Sequence, residues 1–283
     1  MGRAQMLTRL ILLGAIFSAA PLDRSSAWGD RGHSVIAEIA QRRLTPRAAS
    51  EIRMLLGSGA SLASIASWPD GIELVRPETI NWHFVNIPYD AEAYDPERDC
   101  RESKRGDCVV KAIERFEAKL ADPTAPSAKR AEAVTFLVHL IGDVHQPMHC
   151  IDRGDAGGSR LMISLFEKPM SLHAVWDYGI IDKHGFDWGQ LVRDLEESGL
   201  EKLEAQAAVG EPRDWAKESH DAAVEYAYPL PWDLKLDEIY YRRALPVVMR
   251  RLALAGLRLA RVLNESLDPS ELPKVDQRPN GGG

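Results

Sequence analysis

Two histidine and aspartate pairs with the same spacing are the residues best suited to chemistry in this chain. His139 precedes Asp143 by four residues, and His173 precedes Asp177 by four. On a helix, residues four apart lie on one face, so each pair would present an imidazole beside a carboxylate. One such pair is equally typical of a core histidine bonded to an aspartate. Two pairs favour a metal site, because zinc accepts both ligand types.

The segment that carries the first pair is predicted to be a buried helix over residues 131–146. The residues around the pair are apolar: Phe136, Leu137, Val138, Leu140, Ile141 and Val144. A helix that is apolar on all sides is typically buried. Pro147 ends it, because proline lacks the amide hydrogen and disfavours helical geometry in the residue before it. His149 is therefore expected on the following turn.

Three further candidate ligands lie outside these pairs. His83 stands in the aromatic segment 82–85, Asp70 follows Trp68 and Pro69, and His33 lies near the start of the helical region. Together with the two pairs, they form the inventory of a metal site.

The rest of the sequence predicts an all-α fold, a single mainly helical domain with a small β-hairpin. Apolar residues recur at helical spacing in most segments, and the predicted helices cover 33–44, 46–56, 61–67, 108–120, 171–183, 187–208, 213–227 and 236–263. Residues 70–107 are predicted to be irregular, and 160–166 carry the one convincing β signal. Without internal repeats or a low-complexity linker, one domain over residues 28–272 is the economical interpretation.

Both termini are expected to lie outside this domain. Arg3 and Arg9 precede an apolar run over residues 10–17, and small residues follow at 25–27, which predicts a signal peptide over residues 1–27. Its removal would expose Trp28 as the first residue and change the net charge from −7 to −9. Residues 273–283 are predicted to be a disordered tail. We therefore expect an exported, periplasmic or extracellular monomer with no membrane span after processing.

Export would permit disulfides, and the chain has three cysteines. Cys100 and Cys108 bracket a charged loop and are the most plausible pair. Cys150 is left over beside His149. A buried free thiol is the preferred interpretation, with a role at a metal as the alternative.

At this point the sequence resembles the zinc-dependent single-strand-specific nucleases of fungi, the plant bifunctional nucleases and their bacterial relatives. The motifs that carry the resemblance are Trp28-Gly-Asp-Arg-Gly-His33, Trp68-Pro-Asp70, Trp82-His-Phe-Val-Asn-Ile-Pro88, His139-x-x-x-Asp143, Gln146-Pro-Met-His149 and Leu172-His-x-x-Trp-Asp177. The resemblance implies the helical fold shared with bacterial zinc phospholipases C, and three zinc ions in one cleft.

The family pattern also implies which residues hold each ion. The first zinc would be held by Asp70, His83, His139 and Asp143. The second would be held by the amino group and carbonyl of Trp28 and by His33, with Asp143 bridging to the first. The third would be held by His149, His173 and Asp177. The amino group of Trp28 exists only after cleavage, so an uncleaved precursor could not form the second site.

The implied activity is hydrolysis of single-stranded DNA and RNA to 5′-phosphorylated products, and of 3′-nucleotides. Phe84 matches the position on which a base stacks, and Asn86 stands where many members have an aspartate beside the base. A second departure is Glu73, where the family usually has an arginine that contacts phosphate. Arg76, one helical turn further, is a candidate substitute for that contact.

Two other functions remain open at this stage. A zinc phospholipase C shares the fold, but that branch usually has His-x-x-x-Glu in the last pair and a longer spacing to the first histidine, so Asp177 and His33 favour the nuclease. A non-catalytic exported zinc-binding protein is the alternative of another class, for which Glu73 is the argument. The negative net charge argues mildly against a nucleic-acid binder, but three zinc ions would make the cleft locally positive.

Other conspicuous residues are given structural interpretations. His145 should point away from the pair on its helix and is expected either to support a ligand residue from behind or to be structural. His184 and His220 lie among polar residues and are predicted to be at the surface. The tryptophans next to the ligands are expected to pack and exclude water, namely Trp68, Trp82 and Trp176.

Overall fold

The computed structural model describes residues 28–185 and 187–269. The predicted signal peptide over residues 1–27 and the predicted tail over residues 273–283 lie outside these ranges. In chain order, the α-helices of the described residues are α1 Gly29–Gln41, α2 Pro46–Leu56, α3 Leu62–Ile65, α4 Trp68–Ile72, α5 Pro96–Asp99, α6 Val109–Ala121, α7 Ser127–His145, α8 Leu172–Ala174, α9 Ile180–His184, α10 Trp188–Glu197, α11 Glu201–Ala207, α12 Pro212–Ala222 and α13 Glu238–Leu267. Among these residues, none of the helices is both long enough and apolar enough to cross a membrane.

Tighter and wider helical turns extend several of these elements. Pro77–His83 and Pro147–Cys150 are 3₁₀ turns, and Val175–Gly179 and Ala223–Ala227 are π turns. The π turn over Val175–Gly179 joins α8 to α9, so the segment predicted as one helix over 171–183 is one continuous helical path. π turns inside helices are rare and occur often at functional sites.

Helix α7 is the central element of the core. It packs against α1, α2, α6, α12 and α13, and every side chain from Phe136 to His145 is buried. Phe136 stacks on Phe116 of α6 with their ring centroids 4.5 Å apart. The all-round apolar sequence thus produces the buried helix that it predicts. The polar groups of His139 and Asp143 are carried into the interior by that burial.

Local signals fix where several helices begin. Pro46 occupies the first turn of α2, and Thr45 Oγ1 accepts a hydrogen bond from the Ala48 amide at 3.1 Å. Asp237 Oδ1 caps α13 by accepting from the Ile239 amide at 2.9 Å. Helix α13 then packs along α1 and α7.

A small sheet lies beside the helices. Strands β1 (Met162–Leu165) and β2 (Lys168–Ser171) form the hairpin expected near 160–166, with Met162 opposite Ser171. A third strand, β3 (Lys235–Leu236), pairs in parallel with β1. The sequence did not predict β3, because two residues are too few to show an alternating pattern.

Some local predictions were wrong. The helix expected over 187–208 is divided into α10 and α11 at Gly199, which adopts a φ of +93°. The irregular segment 70–107 contains α5 and a 3₁₀ turn. His220 is buried rather than at the surface, because its Nε2 reaches the Pro88 carbonyl at 2.9 Å. Trp68 is 46% exposed, so it shields the core less than expected.

The cysteines behave as predicted. Cys100 and Cys108 form a disulfide, and Cys150 is a buried free thiol whose Sγ lies 3.3 Å from the Val144 carbonyl. Burial raises the pKa of the Cys150 thiol to about 12. The thiol is therefore protonated and inert at neutral pH.

Candidate metal centre

Three elements, α7, α4 and the 3₁₀ turn Pro77–His83, bring a first group of candidate ligand atoms together. His139 Nε2 lies 3.2 Å from Asp143 Oδ2 on the same helix and 3.2 Å from Asp70 Oδ1 on α4. His83 Nδ1, at the end of the 3₁₀ turn Pro77–His83, lies 2.9 Å from Asp143 Oδ2 and 3.0 Å from His139 Nε2. Four ligand atoms thus converge in one small volume.

The second oxygen of Asp143 faces a different histidine. Asp143 Oδ1 lies 3.4 Å from Nε2 of His33 on α1, and both side chains are fully buried. The His33 ring stacks on the His139 ring with their centroids 4.0 Å apart. This approach requires Gly142, since a Cβ there would come within 2.8 Å of His33 Nδ1. Asp143 therefore stands between two histidine groups, with one oxygen directed at each.

Trp28 is anchored next to this position. Its indole Nε1 donates to the Gly142 carbonyl at 2.9 Å, and the side chain is fully buried. The Trp28 carbonyl accepts from the Gly32 amide at 3.1 Å. A Cβ at position 32 would come within 2.5 Å of Trp28 Cβ, so only glycine fits the first turn of α1 against the tryptophan.

A separate group forms where the turn after α7 meets α8. Asp177 Oδ2 lies 3.4 Å from His173 Nε2, and Asp177 Oδ1 lies 3.7 Å from His149 Nε2. Gln146 Nε2 donates a short hydrogen bond to Asp177 Oδ1. All four side chains are buried.

Backbone carbonyls hold three of the histidines in one tautomer. Nδ1 of His139 donates to the Ala66 carbonyl, Nδ1 of His149 to the His83 carbonyl, and Nδ1 of His173 to the Gly157 carbonyl, each at 2.7 Å. A carbonyl can only accept, so Nδ1 carries the hydrogen and the Nε2 lone pair faces the ligand group. His145 is bonded differently. Its Nδ1 donates to the Ile141 carbonyl, and its Nε2 meets Arg258 at 2.9 Å, which supports the structural role expected of it.

Burial controls the charges in the group formed by His149, His173 and Asp177. It raises the pKa of Asp177 well above its usual range, and the hydrogen bond from Gln146 opposes this rise only in part. Burial and the neighbouring His149 lower the pKa of His173 to about 3, so that ring is neutral. Neutral imidazoles beside a carboxylate that lacks a compensating charge are the environment that a cation stabilises.

Both groups border one cleft of about 490 Å³. Its lining includes His83, His149 and His173, and the two predicted substrate contacts Phe84 and Asn86. The predicted phosphate contact Arg76 is not among the lining residues. Arg76 instead forms ion pairs with Glu78, at 3.0 Å, and with Glu132.

The structure adds residues to the site that the sequence did not single out. Gly142 makes room for His33, and Arg105 and Arg160 line the cleft. Gln146 had a signal, since it belongs to the motif that ends in His149, but its bond to Asp177 spans 31 positions.

Comparison with known proteins places the sequence. The S1/P1 nuclease family matches residues 28–268. The chain belongs to the S1/P1 nuclease family. Endonuclease 2 of Arabidopsis thaliana is 32% identical over 84% of this chain and 89% of its own length. Nuclease P1 of Penicillium citrinum is 31% identical over 87% of this chain and 100% of its own length. Nuclease S1 of Aspergillus oryzae is 25% identical over 82% of this chain and 89% of its own length.

Family membership confirms the resemblance and the mainly helical fold class predicted from the sequence. The relatives carry the names of endonucleases and nucleases, which are hydrolases of phosphodiester bonds. Within the described residues, four groups of three side chains bring together atoms that could hold a metal ion. They are His33, Asp70 and His139; His83, His139 and Asp143; His149, His173 and Asp177; and Asp70, Glu73 and His83.

Proposed function

We propose that this chain is an exported, monomeric, zinc-dependent phosphodiesterase. It would hydrolyse single-stranded DNA and RNA to 5′-phosphorylated products, and would also release phosphate from 3′-nucleotides. The observation that carries the proposal is the convergence of two buried histidine and aspartate groups on one cleft, beside an aromatic side chain on which a base can stack.

The residues fit zinc on geometric grounds. Zinc binds nitrogen and oxygen at about 2.0–2.1 Å, which places tetrahedral ligand atoms roughly 3.3 Å apart. In the first group, the distances from His139 Nε2 to Asp70 Oδ1 and to Asp143 Oδ2 are both 3.2 Å. His83 Nδ1 lies 3.6 Å from Asp70 Oδ1. The set matches a four-ligand site.

Unsatisfied polar atoms support the other two sites. Within the described residues, His33 Nε2, Asp143 Oδ1 and His149 Nε2 are buried without a hydrogen-bond partner. Buried polar atoms are normally bonded, so each such atom calls for an explanation. We propose that His33, Asp143 and the backbone of Trp28 hold a second zinc, and that His149, His173 and Asp177 hold a third.

Zinc ions bound there would lower the pKa of a coordinated water and neutralise charge on the phosphate and on the departing oxygen. The residues of the chain would orient the ions and bind the substrate. The carbonyl bonds to Nδ1 of His139, His149 and His173 keep their Nε2 atoms aimed at the ions. Phe84 would stack on a base and Asn86 would hydrogen-bond the base edge, since both residues line the cleft. Stacking discriminates weakly between bases, so both nucleic acids would serve.

A substrate panel with and without chelator tests this function. Purified protein beginning at Trp28 would be assayed on single-stranded DNA, RNA, 3′-AMP and phosphatidylcholine. We expect chelator-sensitive hydrolysis of the first three and restoration by zinc. Hydrolysis of phosphatidylcholine alone would favour a phospholipase C, and no hydrolysis of any substrate would favour a non-catalytic zinc-binding protein.

A further inference from the structure

The wall of the cleft carries a carboxylate, Glu73, where a phosphate substrate would require a cation. Glu73 lines the cleft, and its Oε1 lies 3.6 Å from His83 Nε2. A carboxylate there repels a phosphate. Arg76, the nearest candidate along the sequence, is held by Glu78 and Glu132 and does not line the cleft. Any side-chain cation that meets the phosphate, in addition to the proposed zinc ions, must therefore come from elsewhere in the chain.

We propose that Arg105 and Arg160 are the phosphate contacts of this chain, an inference that rests on the proposed function. Both line the same cleft as the ligand histidines. Across residues 28–185 and 187–269, neither guanidinium forms an ion pair with a carboxylate. Both side chains are exposed at the cleft, so they are available to an anion from solvent.

The loop that carries Arg105 is held in place by covalent and backbone contacts. The disulfide between Cys100 and Cys108 closes it, and the Arg105 carbonyl accepts from the Asn81 amide at 2.8 Å. Gly106 packs against the 3₁₀ turn that carries His83, where a Cβ would come within 2.6 Å of Trp82 Nε1. The backbone of Arg105 is thereby fixed relative to the first ligand group.

Arg160 is tied to the third ligand group in a similar way. The Arg160 amide donates to the Asp155 carbonyl at 3.0 Å. The next residue, Leu161, accepts from the Leu172 amide at 2.8 Å, immediately before His173. Arg105 and Arg160 therefore stand on two different loops, each attached to one ligand group. A single strand that enters the cleft would meet a cation near each group.

The negative net charge of the chain makes local cations important for the binding of nucleic acid. The chain has a net charge of −7, so its surface supplies no general attraction for nucleic acid. An arginine can hold two phosphate oxygens with parallel hydrogen bonds. Loss of either side chain should weaken binding of any sequence to a similar degree, because phosphate contacts carry no base information.

Binding without turnover tests the proposal. Zinc-loaded wild type, Arg105→Gln, Arg160→Gln and the double variant would be titrated with a phosphorothioate single-stranded oligonucleotide by fluorescence anisotropy at several salt concentrations. Arg101→Gln is the matched control, since Arg101 is on the same loop and its Nε donates to the Glu97 carbonyl at 2.7 Å. Zinc content would be measured for each protein.

We expect each single variant to raise Kd about tenfold and to reduce the slope of log Kd against log salt by about 0.7. The double variant should lose both contributions, Arg105→Lys should retain the slope, and Arg101→Gln should match wild type. Zinc content should be unchanged throughout. The inference would be overturned if the double variant had the same Kd and slope as the wild-type protein. It would also be overturned if the wild-type protein did not bind the oligonucleotide. Wild type that binds with the expected slope but hydrolyses nothing would refute the proposed function alone.

Discussion

Glu73 Oε1 lies 3.6 Å from His83 Nε2, whereas Asp143 contacts the other ring nitrogen, Nδ1. The distance is within ion-pair range but beyond a hydrogen bond. His83 Nε2 is buried and, within the described residues, has no hydrogen-bond partner. A carboxylate behind a ligand histidine fixes its tautomer and raises its basicity. Glu73 therefore stands where the family usually has an arginine, and its carboxylate can support the His83 side chain.

Replacement of Glu73 should therefore weaken metal binding. We expect Glu73→Gln to lower zinc affinity at the first group about tenfold, because the amide holds the His83 ring with less charge. Competition with a fluorescent chelator measures this. Glu78→Gln is the control, since Glu78 is exposed and pairs only with Arg76 among the described residues. Equal zinc affinity in Glu73→Gln and wild type would show that Glu73 does not act through His83.

Asp143 is the residue whose loss should be most severe. Its two oxygens face His83 and His33 separately, so Asp143→Ala would disturb two proposed zinc sites at once. We expect hydrolysis of single-stranded DNA to fall by at least about a thousandfold and zinc content to fall by up to two equivalents. Near-normal activity would contradict the shared-ligand assignment.

His145 is the matched comparison on the same helix. Its ring bonds to the Ile141 carbonyl and to Arg258, and not to a ligand. His145→Ala should cost about 1–3 kcal/mol of unfolding free energy, since Arg258 keeps its bond to Glu218 Oε2 at 2.7 Å. Zinc content and activity per folded molecule should match wild type. Urea unfolding and metal analysis of the same samples separate the two effects.

The sequence predicts those parts of the site that depend on one helix or one motif. His139 and Asp143 share a face of α7, so their spacing alone brings them together. The proximity of Glu73 to His83 depends on how α4 meets the 3₁₀ turn, and no local pattern encodes that contact. The prediction that His220 is at the surface was wrong for the same reason. Its partner Pro88 is 132 positions away, and only the folded chain brings them together.

The proposed second zinc site makes the start of the chain part of the metal centre. A chain that begins at Trp28 has a free amine, whereas one that retains Ala27 has an amide whose nitrogen cannot bind a cation. We expect the longer chain to bind one zinc fewer by elemental analysis, with the His149 group unaffected. Equal zinc content in the two chains would remove Trp28 from the ligand set.

Glu117 gives a prediction on stability that is independent of the metal centre. It lies on α6 beside a cavity lined by Trp215 and Arg261. Burial raises the pKa of Glu117 to about 7, and Arg261 opposes the rise only in part. In the unfolded chain the pKa is near 4.5. The folded state therefore retains a proton that the unfolded state has lost between these values, so stability must fall as pH rises through this window.

Glu117→Gln removes this titration and should be more stable than wild type above pH 7. The full pKa difference corresponds to about 3 kcal/mol, and partial exposure reduces the expected gain to about 1–2 kcal/mol. Urea unfolding at fixed zinc concentration, from pH 4 to pH 8, measures it. The two proteins should converge towards pH 4, where Glu117 is protonated in both states. Glu114→Gln, an exposed position on the same helix, should show no such divergence. A constant difference between Glu117→Gln and wild type at every pH would indicate a packing effect instead of titration.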